Sequence, residues 1–312
     1  MKYTRVLGTG SYLPEKSLSN TELSTRVETS DEWIVDRTGI ESRHIASEIE
    51  TTTMMGVAAA KQALEMAGVL PEAVDMIVVA TCTPDKFFPS TACLIQEQLG
   101  IPSCPAFDIS AACSGFMYGL SVIDQFVRSG MVKKPLLIGA EVMSRLLDWQ
   151  DRRTCILFGD GAGAVLFEAS DTPGILRTHI NADARQKDIL YVDNLPGACI
   201  QMQGGAVFKA AVNCLDKIAG EMLAAQGLTV AELDWLVPHQ ANIRIIKATA
   251  EKLGLPMDKV IITLPTQGNT SGASIPLALD HGIRSGKIKR GQHLLLEAFG
   301  GGLTWGSALI RY

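Results

Sequence analysis

No two cysteines of this 312-residue sequence stand in C-x-x-C spacing, and the five histidines are equally far apart, so neither residue type offers a metal-ligand pattern. The seven cysteines are Cys82, Cys93, Cys104, Cys113, Cys155, Cys199 and Cys214, an odd and scattered set that excludes a disulfide framework. A reducing cytosol is expected, with most of the thiols serving as small buried side chains. No uninterrupted run of 18 apolar residues occurs, and Met1 to Gly10 lack the basic, apolar, small-residue order of a signal peptide. Neither a membrane span nor secretion is therefore expected. An excess of basic charge is missing too: 28 Lys and Arg against 33 Asp and Glu give a formal charge of -5. That balance argues against non-specific nucleic-acid binding and leaves room only for a local basic patch facing an anionic partner.

What is present is a chain 47% apolar, ample for one large domain or two intimately packed ones. Helical and strand-like stretches alternate, the signature of an α/β protein. Met54 to Ala67 is Ala-rich and closes at Gly68, as a helix should, and the apolar run Val74 to Ala80 fits a buried strand. Asp216 to Ala225 repeats the helical pattern before Gly227, with Leu233 to Val237 as the next strand.

These stretches read as copies. G-V-L-P-E-A-V-D from Gly68 to Asp75 matches G-L-T-V-A-E-L-D from Gly227 to Asp234 with the same Gly-to-Asp separation. L-G-I-P at Leu99 to Pro102 is echoed by L-G-L-P at Leu253 to Pro256, and F-G-D-G at Phe158 to Gly161 by F-G-G-G at Phe299 to Gly302. The order predicts two similar α/β halves, 1–170 and 171–312, around a pseudo-twofold axis. Residues at equivalent places would then meet at the junction, where pockets commonly form.

Pro105 to Ile109 reads as a strand, and Ser110-Ala111-Ala112-Cys113-Ser114-Gly115-Phe116 follows it into an apolar helical stripe. A buried cysteine is ordinarily just a small hydrophobe. Here small neighbours permit a sharp strand-to-helix turn, and a helix N-terminus is expected to favour thiolate and to offer an N–H to an oxyanion. The partner residues decide between the two readings. His239, in P-H-Q-A-N, directly follows a strand, and Asn269, in G-N-T-S-G-A-S, lies in a turn before a helix, at the duplicated counterpart of the Cys113 region. A histidine and an asparagine supply two neutral N–H donors without a carboxylate, an arrangement suited to stabilising an enolate rather than activating water.

A-A-C-S-G-F, H-Q-A-N-I-R, G-N-T-S-G-A-S and the terminal F-G-G-G-L-T-W-G-S-A-L-I-R-Y, four motifs in order, together resemble the beta-ketoacyl-acyl-carrier-protein synthase III family of the thiolase-like superfamily. The resemblance runs from G-T-G-S-Y-L-P to the end and implies a duplicated five-layer α-β-α-β-α fold. It also implies a Cys113–His239–Asn269 triad catalysing a decarboxylative Claisen condensation of an acyl-CoA primer, typically acetyl-CoA, with malonyl-acyl-carrier protein. Cys113 would carry the acyl group, and its backbone N–H with that of Gly301 would form an oxyanion hole. Trp33, Arg37 and Arg152 resemble the CoA-binding groups, with Arg153 competing for the last role, while Asn242, Gly204 and Phe208 resemble the pantetheine tunnel. No metal or redox cofactor is implied.

Lys209, Arg244 and Lys247, with Lys252, are expected to form a basic surface for an acidic carrier protein. The resemblance further implies a cytoplasmic homodimer in which Phe88 closes the partner's acyl pocket and favours a short primer. Phe87 beside it departs from the pattern, and Cys82 is expected near the pocket wall.

Overall fold

A computed structural model describes residues 2–312. Five strands, β1 (Tyr3–Tyr12), β2 (Met76–Ala80), β3 (Ala106–Ile109), β4 (Pro135–Val142) and β5 (Asp160–Ser170), form one sheet in the order β1-β5-β4-β2-β3. Four more, β6 (Ile175–Ala182), β7 (Trp235–Pro238), β8 (His293–Gly300) and β9 (Thr304–Arg311), form a second in the order β7-β8-β9-β6. The pairings match in sense. β2 runs parallel to β4, and β5 antiparallel to β4 and β1; β7 runs parallel to β8, and β9 antiparallel to β8 and β6. Where the first sheet adds β3 beside Ile77, the second has only a single bridge between Leu236 and Val260.

The helices that matter for the site and the layers are α1 (Asp31–Thr38), α2 (Thr52–Ala67), α3 (Gly115–Arg128), α4 (Gly204–Ala224), α5 (Ile243–Leu253) and α6 (Ser274–Arg284). α3 and α6 lie between the sheets, α2 covers the outer face of the first, and α4 with α5 covers the second. The result is the duplicated five-layer thiolase-like arrangement. Both faces of β2 and β4 are therefore covered, which is why M-I-V-V-A and P-L-L-I-G-A-E-V are buried throughout without alternation. Phe116, Met117, Leu120 and Ile123 of α3 fill the central layer with Ile275 and Leu279 of α6.

Local chemistry sets the boundaries. Thr51 caps α2 by accepting from Met54 N, and Gly68 ends it in the left-handed conformation expected from the sequence (φ 63°). The alanines of α2 let it approach β1 closely; a Cβ on Gly10 would stand 2.2 Å from the Ala59 carbonyl oxygen. The helix predicted from Asp216 begins earlier, at Gly204, because its first turns carry polar and small residues that blur the apolar period. The expectation that most cysteines are buried is also corrected. Only Cys113 and Cys155 are; the other five are half-buried, and all seven are free thiols.

Candidate active site

Cys113 occupies a tight turn, Ala112–Ser114, between β3 and α3. Ala112 has φ 47°, a left-handed backbone that a small side chain tolerates best. The turn aims Cys113 at the junction of the halves, where it is 8% exposed and the Ser271 hydroxyl donates to its Sγ at 3.5 Å. The expected thiolate is not what this environment favours. Burial pushes the Cys113 thiol up to about 11, outweighing the Ser271 hydrogen bond, and buried Glu141 pushes the same way.

His239 follows β7, its N–H donating to the Glu297 carbonyl of β8 at 2.7 Å. Its Nδ1 meets the Ser274 hydroxyl at 2.6 Å, and that oxygen also accepts from Gln240 N at 3.3 Å. Burial holds the imidazole down at about 3, so the ring is neutral at physiological pH. Asn269 is pinned to the first half by its own N–H to Leu157 O (2.8 Å) and by Gly159 N–H to Asn269 O (3.0 Å). Its Oδ1 accepts from Ser271 N at 2.9 Å, which leaves the amide NH2 to donate elsewhere.

All three side chains line one cavity of about 530 Å³, with Trp33, Arg37, Gly204, Phe208, Lys209, Asn242 and Arg244 towards its mouth. Cys113 also borders a second cavity of about 960 Å³, walled by Cys82, Met143, Leu146, Ile200 and Gly301 and rimmed by Phe87. The thiol therefore stands where the two cavities meet, the second open to solvent past Phe87 in the single chain. Gly300 packs against the turn; a Cβ there would lie 2.7 Å from Cys113 N. Glycine in F-G-G-G thus leaves room beside that N–H.

At the mouth, Arg37 and Arg152 both lie over the Trp33 ring, 4.5 and 4.9 Å from its centre. Arg152 also donates to Glu28 O, whereas Arg153 is held by Asp151 yet reaches the first cavity. Asn242 caps α5, accepting from Arg244 N and donating to Arg37 O, so it braces α1 against α5. Of the basic residues, Arg244 pairs with Asp36 and Lys252 with Asp216; Lys209 and Lys247 have no ion pair among the described residues. Phe87 and Phe88 are 88% and 85% exposed, and Phe88 borders neither cavity of its own chain. Sequence reading missed Ser271 and Ser274, whose bonds to Cys113 and His239 span 158 and 35 residues, and it missed Glu141. The seryl-rich G-N-T-S-G-A-S was the one available signal.

Models of 3-oxoacyl-[acyl-carrier-protein] synthase III match residues 107–184, and of its C-terminal portion residues 223–312. A beta-ketoacyl-[acyl-carrier-protein] synthase III of Methylococcus capsulatus is 55% identical over 320 residues, covering 100% of this chain and 99% of the relative. That of Thiobacillus denitrificans is 56% identical over 319 residues and covers 100% of both chains. The chain belongs to the beta-ketoacyl-acyl-carrier-protein synthase III family. The crystal structure of 3-oxoacyl-[acyl-carrier-protein] synthase III from Aquifex aeolicus superposes with a TM-score of 0.97 at 50% identity, covering 99% of this chain and 100% of the other. As a synthase III, the enzyme performs the decarboxylative condensation of an acyl-CoA with malonyl-acyl-carrier protein through an acyl-cysteine. A synthase of this kind needs a passage for a long thioester arm and a place for the acyl group beyond the thiol; the two cavities meeting at Cys113 have that form.

Proposed function

We propose that Cys113 is the acyl carrier, that His239 and Asn269 stabilise the enolate, and that the primer is short, with acetyl-CoA as the principal one. The convergence of these three residues on one cavity carries the reading. In the first half-reaction the Cys113 sulfur attacks the acyl-CoA thioester, and the N–H groups of Cys113 and Gly301 receive the oxyanion. The raised thiol keeps free Cys113 protonated; as its sulfur bonds the acyl carbon, the bond to the CoA sulfur breaks and the proton lost by Cys113 leaves with CoA as its free thiol. In the second, malonyl-acyl-carrier protein loses carbon dioxide and its carbanion attacks the acyl-Cys113 carbonyl.

The Ser274 hydroxyl accepts from Gln240 N–H; in this reading its own proton goes to His239 Nδ1, which places the ring proton on Nε2. That proton and the Asn269 amide then meet the malonyl thioester oxygen. Neutral donors are suited to this work. They stabilise charge that appears only in the transition state, without fixing the malonyl carboxylate that must leave.

Trp33, Arg37 and Arg152 form the nucleotide clamp, and Gly204, Phe208 and Asn242 guide the pantetheine arm. Lys209, Arg244 and Lys247 receive the acidic carrier protein. The pairing of Arg244 with Asp36 makes Lys209 and Lys247 the freer charges in that surface. A second copy of the chain closes the second cavity into an inner chamber. Phe87, Phe88 and Leu195 are exposed, and Tyr191 and Val192 lie at the rim, an apolar surface that a partner would cover with Phe88 as gate. The two halves, 1–170 and 171–312, act as one catalytic unit, and the setting is initiation of cytoplasmic fatty acid synthesis.

Intact-protein mass after incubation with acetyl-CoA tests the reading. Gain of one acetyl group by the wild type and none by Cys113→Ala, with discharge by malonyl-acyl-carrier protein, is expected. Acetylation surviving Cys113→Ala, or loading by longer acyl-CoAs alone, would overturn it.

A further inference from the structure

Glu141, next to the end of β4, is wholly buried, yet neither half-reaction uses it. Its carboxyl accepts from the Thr83 hydroxyl at 2.7 Å, the Thr81 hydroxyl at 3.3 Å and Cys82 N at 3.0 Å. Its Oε1 also abuts the turn at Gly272, in the second half of the chain, 3.3 Å from where a Gly272 Cβ would lie, and the Gly272 N–H pulls the carboxyl down. Burial pushes this carboxyl up to about 7 against the pull of those donors. A buried carboxyl held by three donors of one segment and set against a turn of another is a costly feature with a defined geometry.

The strand registers give its counterpart. Asp75 and Asp234 are equivalent in the repeated motif, which equates Val79 of β2 with Pro238 of β7. Val79 pairs with Ile138 and Pro238 with Glu297, so Glu141 of β4 corresponds to Gly300 of β8. The turns correspond as well. Ala112 and Ser271, with φ 47° and 50°, each open a short 3₁₀ turn and are the only non-glycine residues of positive φ among those described. Cys113 and Gly272 are second in these turns. Gly300 thus stands beside Cys113 N, and Glu141 stands beside Gly272 N, its Oε1 3.3 Å from where a Gly272 Cβ would lie. One turn keeps its N–H free for a substrate oxygen. The equivalent turn has a carboxyl of the protein itself set beside its N–H.

We propose that Glu141 is a positioning residue for condensation, an internal acceptor that locks the Ser271–Ala273 turn through Gly272 N–H and so aims the Asn269 amide. The connection is short. Holding Gly272 fixes the left-handed Ser271, whose N–H grips Asn269 Oδ1 and leaves Nδ2 pointing away. The inference rests on the enolate-stabilising role assigned to Asn269.

The test measures the two half-reactions separately in Glu141→Gln. An amide matches the shape of the carboxyl but sets an NH2 donor against either Gly272 N–H or the Thr83 and Cys82 donors. Discharge of the acyl-enzyme should slow on the order of tenfold in kcat, with acyl loading and KM for malonyl-acyl-carrier protein changing less than about twofold. Thr83→Val, which removes one donor to the carboxyl, should show the same split more weakly, and Thr83→Ser should behave as wild type. If Glu141→Gln fails to fold, the Thr83 pair decides by the same criterion. Equal losses in both half-reactions, or none in discharge, would overturn the proposal. Asn269→Ala serves as reference: a split there with none in Glu141→Gln rejects only the positioning role, whereas no split in Asn269→Ala rejects the Asn269 reading and this inference together.

Discussion

At Cys113 burial and the turn at the head of α3 pull the thiol in opposite directions, and burial wins. Sequence reading found the residue but predicted the wrong protonation state, because a local string shows the helix start and hides the lid of second-half residues that excludes water. The consequence is measurable. Alkylation of Cys113 by a small neutral reagent should accelerate steadily from pH 7 to pH 10 without levelling off, since the thiolate fraction keeps rising below a value of about 11. A plateau near pH 7 would mean a preformed thiolate. His239 and Asn269 were singled out for different reasons: the first directly follows β7, and the second lies in a Gly/Ser-rich turn before α6. Ser274 and Glu141 were not, because their importance lies in contacts made across the fold.

Among the elements, β2 and α2 were legible because one is an unbroken apolar run and the other an Ala-rich stretch with a closing glycine. α4 was found only over its second part. The duplicated Gly-to-Asp motif located β2 and β7, one strand of each parallel pair. It did not reveal that β3 has full pairing in one half while the other has a lone bridge at Val260, since the sequences there differ in turn chemistry rather than apolar content. The close seam of β1 on α2 depends on glycine in G-T-G. Gly10→Ala would drive a methyl to 2.2 Å from the Ala59 carbonyl, forcing the helix outward. A destabilisation of about 1–3 kcal/mol is expected, read as a lower denaturant midpoint with an unchanged slope. Stability equal to wild type would show that the seam yields freely.

For the whole molecule, the site belongs to neither half alone. The first supplies the thiol, both halves wall the second cavity, the second supplies His239, Asn269 and the Gly300–Gly301 loop, and first-half backbone at Leu157 and Gly159 holds Asn269. The exposed Phe87 and Phe88 extend the same logic to a second chain. Sedimentation should report a dimer, and Phe88→Ala should admit longer acyl-CoAs to Cys113 while acetyl loading persists; an unchanged chain-length limit would detach Phe88 from the chamber. The division of labour between the halves is the central claim. It is tested most directly by release of labelled carbon dioxide from malonyl-acyl-carrier protein, using His239→Ala and Asn269→Ala enzymes already acylated at Cys113. Acyl loading should match wild type while carbon dioxide release falls on the order of a hundredfold or more in each. Normal release from acylated variants, or failure of both to load, would contradict the account.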